Sequence, residues 1–202
     1  MTKPLKGISL LGDYGSNGRS FIVNCSCCDK QHELHIHINN PKEDFVIEIY
    51  SDAISSVNVT KLQRIKYTMD MLLKRTYYVE TDTLLDKEMA YNVATALEDS
   101  YRSIVGDFIP HVDLDFPLVL NLCAYGSKIT LTLDTEVEDY IGIFSAVASS
   151  NDPYVTWKKR ISMAWSMLTK GYYEVGIDLQ LKPNDAIMFI QALSTLTTKL
   201  KP

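Results

Sequence analysis

Residues 59–97 read VTKLQRIKYTMDMLLKRTYYVETDTLLDKEMAYNVATAL, and residues 155–193 read VTWKKRISMAWSMLTKGYYEVGIDLQLKPNDAIMFIQAL. Aligned without a gap at an offset of 96 positions, the two segments are identical at 14 of 39 positions. A match of this length between two parts of one chain indicates a tandem duplication. We therefore predict a first repeat unit with an N-terminal hairpin at 1–104, a linker at 105–116 and a second repeat unit at 117–202.

The order of elements within each unit is predicted to be β-β-β-α-β-α. Polar and apolar residues alternate at 33–38 and at 128–133, which is typical of half-buried strands. A strand is expected on either side of each, and two helices with a strand between them follow. The fold class is thus α+β, with two antiparallel sheets that are each packed by two helices.

The first helix of each unit is predicted to begin after a threonine N-cap, at Thr60 and at Thr156. Gly171 fits the left-handed residue that ends a helix. Large apolar residues recur at helical spacing, so we expect them to face inward. They are Leu62, Ile65, Met69 and Leu72 in the first unit, and Trp157, Ile161, Trp165 and Leu168 in the second.

The composition is that of an ordinary globular protein, with 46% hydrophobic and 22% charged residues. The net charge of -5 argues against a protein that coats nucleic acid over its whole surface. No apolar stretch is long enough to span a membrane, and we expect no membrane partner. Three of the four cysteines lie within four positions, which argues against a disulfide scaffold and favours the cytoplasm.

Cysteines and histidines cluster near the start of the chain, and they are the best candidates for metal chemistry. Cys25 and Cys28 have the spacing of a zinc knuckle, and His32 lies within reach across a hairpin. A structural zinc site needs four ligands, however, and no second Cys-x-x-Cys pair exists. We therefore expect no cofactor, with zinc on Cys25, Cys28 and His32 as the alternative.

The first helix of each unit is basic, although the protein as a whole is acidic. Lys158 and Lys159 stand in a first helical turn, where the helix dipole disfavours cations. The basic residues are either a solvated polar face or a contact surface for an anionic partner. The candidate partner-binding residues are Lys61, Arg64, Lys66, Lys158, Lys159 and Arg160.

Two arginines occupy matched positions, Arg64 and Arg160, one turn after the N-caps. An arginine at the edge of a buried face can lay its apolar stem along the core and present its guanidinium to an acid. We predict internal acidic partners for both. The candidate acids are Glu43, Asp44, Asp82, Glu138, Asp139 and Asp178.

The second unit resembles small uncharacterised proteins encoded by tailed bacteriophages. In these, a cysteine-bearing strand pair leads to a helix with an Arg and a Trp that ends Leu-x-x-Gly. A strand and a helix opening Pro-x-Asp-Ala follow, as at residues 157–173 and 181–186 here. The first unit departs from this pattern at Lys61, Met69 and Arg75. The resemblance implies a phage or prophage origin and brings no activity with it.

No catalytic motif stands out in the chain, so we predict that the protein is not an enzyme. We expect it to bind a host, defence or viral protein in the cytoplasm of the host cell. The alternative is a module that binds nucleic acid or nucleotides through the two basic helices. A homo-oligomer is compatible with either function.

Overall fold

A computed structural model describes residues 5–27, 32–40, 45–55, 59–106, 112–124, 127–137, 140–149 and 155–200. These residues form an α+β fold with nine strands and four helices. The strands are β1 (Ile8–Asp13), β2 (Gly18–Val23), β3 (Leu34–Asn39), β4 (Val46–Ile54), β5 (Tyr77–Asp86), β6 (Leu118–Ala124), β7 (Ser127–Val137), β8 (Tyr140–Ser149) and β9 (Glu174–Leu181). The helices are α1 (Lys61–Leu73), α2 (Lys87–Ile104), α3 (Trp157–Lys170) and α4 (Pro183–Lys199).

The element order after β1 is the same in both halves of the chain, 1–104 and 117–202, and the predicted fold class is confirmed. The N-terminal hairpin is confirmed as well, because β1 pairs antiparallel with β2. The predicted N-caps also hold. The Thr60 side chain accepts a hydrogen bond from the Gln63 backbone, and the Thr156 side chain accepts one from Lys159.

All strand pairs are antiparallel, but the halves do not build separate sheets. Strand β9 of the second half pairs along its whole length with β4 of the first, from Leu181–Ile47 to Glu174–Ile54. Strand β5 of the first half pairs in turn with β8 of the second. One sheet therefore has the order β1-β2-β3-β4-β9 and the other β6-β7-β8-β5, and a single β4–β5 pair, Ile54–Glu80, joins them.

The prediction assigned one antiparallel sheet to each unit, and the structure instead shares strands between the two halves. Each half supplies the last strand of the other half's sheet, so neither half can complete its sheet alone. The helices that precede the exchanged strands, α1 and α3, also pack against each other across the two halves. At their crossing the Thr68 hydroxyl donates to the Ala164 carbonyl at 3.5 Å, a contact between equivalent positions of the two halves.

Helices α2 and α4 pack against each other, and each contacts strands of both sheets. Their inward faces are fully buried at matched positions, with Leu97 on α2 and Leu193 on α4. On β9 the buried and exposed residues alternate strictly, as expected for a sheet with one face on the core. The hydrophobic core is therefore shared between the halves.

The prediction that eight apolar residues of α1 and α3 face inward is wrong for seven of them. Leu72 is partly buried, whereas the other seven are exposed to solvent. The exposed seven are Leu62, Ile65, Met69, Trp157, Ile161, Trp165 and Leu168. Among the residues that the structure describes, no helix is long and apolar enough to cross a membrane.

Candidate binding surface on helices α1 and α3

The inward sides of α1 and α3 are made of small and flexible residues. On α3 the buried side chains are Arg160, Met163, Ala164 and Met167, and on α1 they are Thr68 and Met71. Alanine and threonine at the crossing let the two helices approach closely. The larger apolar residues of both helices are thereby left on the outside.

The outward apolar residues of the two helices border one seam. A helix turns by about 100° per residue, so Ile65 and Met69 lie about 60° and 100° around α1 from the crossing residue Thr68. Ile161 and Trp165 hold the same positions relative to Ala164 on α3. We call this area the α1–α3 surface. Its exposed apolar members are Leu62, Ile65, Met69, Leu73, Trp157, Ile161, Trp165 and Leu168.

The tryptophans dominate this surface. Trp157 is 58% exposed and Trp165 is 68% exposed, and they are the two tryptophans of the chain. Leu62 on α1 is 80% exposed. Single exposed apolar residues are ordinary in soluble proteins, whereas groups of neighbouring exposed apolar residues are typical of interaction sites.

Lysines border the apolar area. Lys61, Lys66 and Lys158 are exposed, and helical spacing places Lys66 and Lys158 on the outer margin of the two apolar stripes. The one acid of α1, Asp70, lies on the far side of that helix and forms an ion pair with Lys74 at 2.7 Å. The surface is therefore apolar at its centre and cationic at its edge.

The two predicted contact arginines have another role. The Nε atoms of Arg64 and Arg160 donate to the carbonyls of Val59 and Val155, at 3.3 and 3.2 Å. Arg160, which is only 5% exposed, also donates from Nη1 to the Arg75 carbonyl of the other half at 2.7 Å.

Among the described residues, the partners shown for the two arginines are backbone carbonyls. Of the predicted acids, Glu43, Asp44, Glu138 and Asp139 lie outside the described residues. Asp82 contacts His32. The buried guanidinium of Arg160 fixes the start of α3 to the end of α1, so we leave Arg160 out of the α1–α3 surface.

A cleft flanks each helix of the pair, and the two clefts lie at equivalent positions with different charge. The cleft beside α1 has a volume of about 220 Å³ and contains Asp70 and Glu80. The cleft beside α3 has a volume of about 160 Å³ and contains Lys159 and Lys170.

Tyr173 lines both clefts. Its hydroxyl donates to the Tyr78 carbonyl at 2.8 Å and accepts from the Tyr78 N–H at 3.0 Å. Burial raises the pKa of Tyr173 to about 12. This side chain is therefore a neutral structural link between the halves.

The Cys/His cluster lies away from this surface, in the loop between β2 and β3. The structure brings together Cys25, Cys27 and His32, all of whose ligand atoms lie within 4.8 Å of one another. Burial, followed by the hydrogen bond to Cys27, raises the pKa of the Cys25 thiol. Cys28, which the sequence offered as a ligand, lies outside the described residues. The sequence contained a signal for Cys27 as a ligand, because Cys25 and Cys27 form a Cys-x-Cys pair.

Comparison with known proteins gave no relative of this chain. No family model, no curated protein and no solved structure matches it.

Proposed function

We propose that this protein is a non-enzymatic binding module whose α1–α3 surface takes up an acidic amphipathic helix of a protein partner. One observation carries the proposal: both tryptophans stand exposed in an apolar stripe, while smaller residues are buried beneath it. Exposed tryptophan is costly without a purpose, and tryptophan is enriched among the anchors of protein interfaces.

The shape of the surface favours a helical occupant. Two helices that lie side by side leave a shallow seam between them, with apolar side chains on both banks. An amphipathic helix fits such a seam through apolar residues at i, i+3, i+4 and i+7. Ile65 and Trp165, on opposite banks, are then the expected anchors.

The charge of the surface favours an acidic occupant. Lys61, Lys66 and Lys158 border the apolar area, and complementary charge across an interface speeds encounter and fixes register. A second copy of this chain docked face to face would bring these lysines together. A partner with Glu or Asp beside its apolar stripe avoids that repulsion.

Nucleic acid is the competing ligand class, since lysines and exposed tryptophans also serve single-stranded nucleic acid. Two observations count against it. Arg160 is buried against backbone carbonyls, and much of the surface is aliphatic, which offers nothing to phosphates. Salt dependence separates the classes, because phosphate contacts lose affinity steeply as salt rises.

The setting follows from the resemblance to phage proteins. We propose a phage or prophage protein that meets a host, defence or viral protein in the cytoplasm of the host cell. This part of the proposal rests on residues 157–173 and 181–186, which carry the resemblance.

The test uses the two tryptophans as reporters, because both belong to the α1–α3 surface. The probe is a designed peptide of about 20 residues, long enough to be helical, with a leucine stripe flanked by glutamates. Titration should shift tryptophan emission to shorter wavelength and saturate at one peptide per chain. Moderate salt should weaken the binding only slightly.

Two further titrations and one sedimentation experiment test the alternatives. A peptide with lysines in place of the glutamates should bind much more weakly. A single-stranded oligonucleotide that binds more tightly than the acidic peptide, with a steep loss in salt, would put nucleic acid first. Self-association in sedimentation, with burial of the tryptophans, would show that a second copy is the occupant. If neither peptide nor the oligonucleotide binds and the protein does not self-associate, the α1–α3 surface is not a binding site.

A further inference from the structure

The loop between β2 and β3 gathers three side chains with the chemistry of metal ligands. The Cys25 and Cys27 sulfurs are 2.9 Å apart, and the Cys27 sulfur is 3.2 Å from Nδ1 of His32. Thiolate sulfur and imidazole nitrogen are the ligands that Zn²⁺ prefers in proteins. This cluster is separate from the α1–α3 surface, and nothing in the binding proposal uses it.

The surroundings of the three side chains favour ligation. Nε2 of His32, the nitrogen that faces away from the sulfurs, lies 3.7 Å from an Asp82 carboxylate oxygen. A carboxylate on the second nitrogen is the usual way to orient a metal-ligating histidine. The Leu84 N–H points at the Cys25 sulfur at 3.3 Å and so fixes the position of this side chain against β5.

The loop is held in place by hydrogen bonds to β5, a strand of the other sheet. The Ser26 N–H donates to the Leu84 carbonyl at 2.7 Å, and the Ser26 hydroxyl accepts from the Asp86 N–H at 2.9 Å. At the far end of the loop, the Thr83 hydroxyl donates to the His32 carbonyl at 2.7 Å. Both ends of the ligand set are thus fixed relative to one strand.

The second half of the chain lacks this loop. There, β6 ends at Ala124 and β7 begins at Ser127, and these two residues pair directly. In the first half the last pair before the loop is Val23–Leu34, so ten residues separate the paired positions. The fold closes this hairpin with a short turn in the second half. The longer loop of the first half is therefore available for another purpose.

We propose that Cys25, Cys27 and His32 bind one Zn²⁺ through their two sulfurs and Nδ1, with the fourth position open. Binding releases the two thiol protons to solvent, and the metal takes their place. With Zn–S bonds of about 2.3 Å, tetrahedral geometry sets the sulfurs about 3.7 Å apart. The exposed Cys27 side chain has the freedom to make that small movement. The bound ion would join the two ends of the β2–β3 loop, which hydrogen bonds already hold beside β5.

The competing state of the same residues is a pair of free thiols, or a bond between them under oxidising conditions. The sequence alone favoured free thiols because it offered no second Cys-x-x-Cys pair. In the structure Cys27 takes the place of Cys28 in a set of three ligands, and these three side chains already lie within 4.8 Å of one another, which favours the metal. Metal content and the absorption spectrum of the bound metal therefore distinguish a zinc site from free thiols and from a disulfide.

The experiment loads the reduced full-length protein with Co²⁺ or Zn²⁺. Cobalt should bind at one ion per chain, with the sulfur-to-metal charge-transfer band of two thiolates, and zinc should displace it. Zinc should also raise the melting temperature, and a chelator should reverse the rise. Less than half an ion per chain, or a cobalt spectrum without sulfur bands, would overturn the site.

Variants test the ligand assignment. Cys27→Ser and His32→Asn should each lower metal affinity at least tenfold and remove the zinc-dependent rise in melting temperature. Circular dichroism without metal shows whether each variant folds. Cys123→Ser removes a cysteine from β6 and should change nothing. Cys28→Ser should retain the site, and loss of the sulfur bands in Cys28→Ser but not in Cys27→Ser would show the assignment to be wrong.

Discussion

The two halves of the chain agree in what holds the fold and differ in what they present to solvent. Both have an arginine that donates to the carbonyl five residues earlier, and both contribute a strand to the other half's sheet. On the outer surface, by contrast, Trp165 stands where the first half has Met69. The shared features are structural, and we expect function among the features that differ.

The other differences follow the same division. The ten-residue loop with three cysteines and a histidine belongs to the first half alone, whereas only two residues separate the paired positions Ala124 and Ser127 in the second. The clefts beside α1 and α3 occupy equivalent places, but among the described residues the first contains Asp70 and Glu80 and no lysine, whereas the second contains Lys159 and Lys170 together with Glu174. Two halves with the same order of elements thus present one apolar surface and two unlike flanks.

The largest expected effect tests whether the halves are one folding unit. Leu97→Ala and Leu193→Ala each remove a fully buried side chain at matched positions of α2 and α4. Each should lower the free energy of unfolding by about 2–5 kcal/mol. Because the sheets share strands, each variant should still unfold in a single transition, as judged by chemical denaturation followed by circular dichroism and fluorescence. Two transitions, with only one of them moved, would mean that the halves fold independently.

A smaller effect should distinguish the matched arginines. Arg160 is buried and reaches a carbonyl of the other half, whereas Arg64 is only partly buried. Arg160→Ala should therefore cost about 2–3 kcal/mol and Arg64→Ala about 1 kcal/mol, since a lost partner leaves buried carbonyls unsatisfied. Thermal melts measure both, with the exposed Lys159→Ala as the neutral control. A larger loss at Arg64 would contradict the assignment.

The smallest effect has the opposite sign. Helix α3 is followed by Gly171 at φ 88°, and the equivalent residue after α1 is Arg75 at φ 56°. Glycine adopts this left-handed conformation without the cost that a side chain adds. Arg75→Gly should raise the free energy of unfolding by about 0.5–1 kcal/mol, measured by denaturant titration. Gly171→Ala should lower it, because the added methyl group would meet the Arg64 guanidinium.

Much of the fold could be predicted from local sequence. Alternation at 33–38 and 128–133 gave strands, and Thr60 and Thr156 gave the helix starts, because these signals depend on neighbouring residues. The exchange of β5 and β9 could not be predicted in this way. It depends on contacts between distant parts of the chain, such as β4 with β9 and α1 with α3, which patterns of neighbouring residues do not reveal.

The candidate sites were predicted in part. Helical spacing located the apolar stripes around Ile65 and Trp165, but it could not say that smaller residues would take the buried side. That outcome depends on how closely α1 and α3 pack at Thr68 and Ala164. For the Cys/His cluster, spacing pointed to Cys28, whereas the loop geometry places Cys27 next to His32.

We propose above that the apolar stripe on α1 and α3 is a binding surface instead of part of the core. Trp165→Ser tests it most directly, through titration with the acidic helical peptide together with a denaturation curve. We predict an affinity at least tenfold lower, about 1.4 kcal/mol, with the free energy of unfolding unchanged within about 0.5 kcal/mol. Leu10→Ser, at an exposed position of β1, should change neither quantity. Unchanged affinity, or a loss of stability of about 3–5 kcal/mol as for a buried tryptophan, would show that Trp165 does not belong to a binding surface.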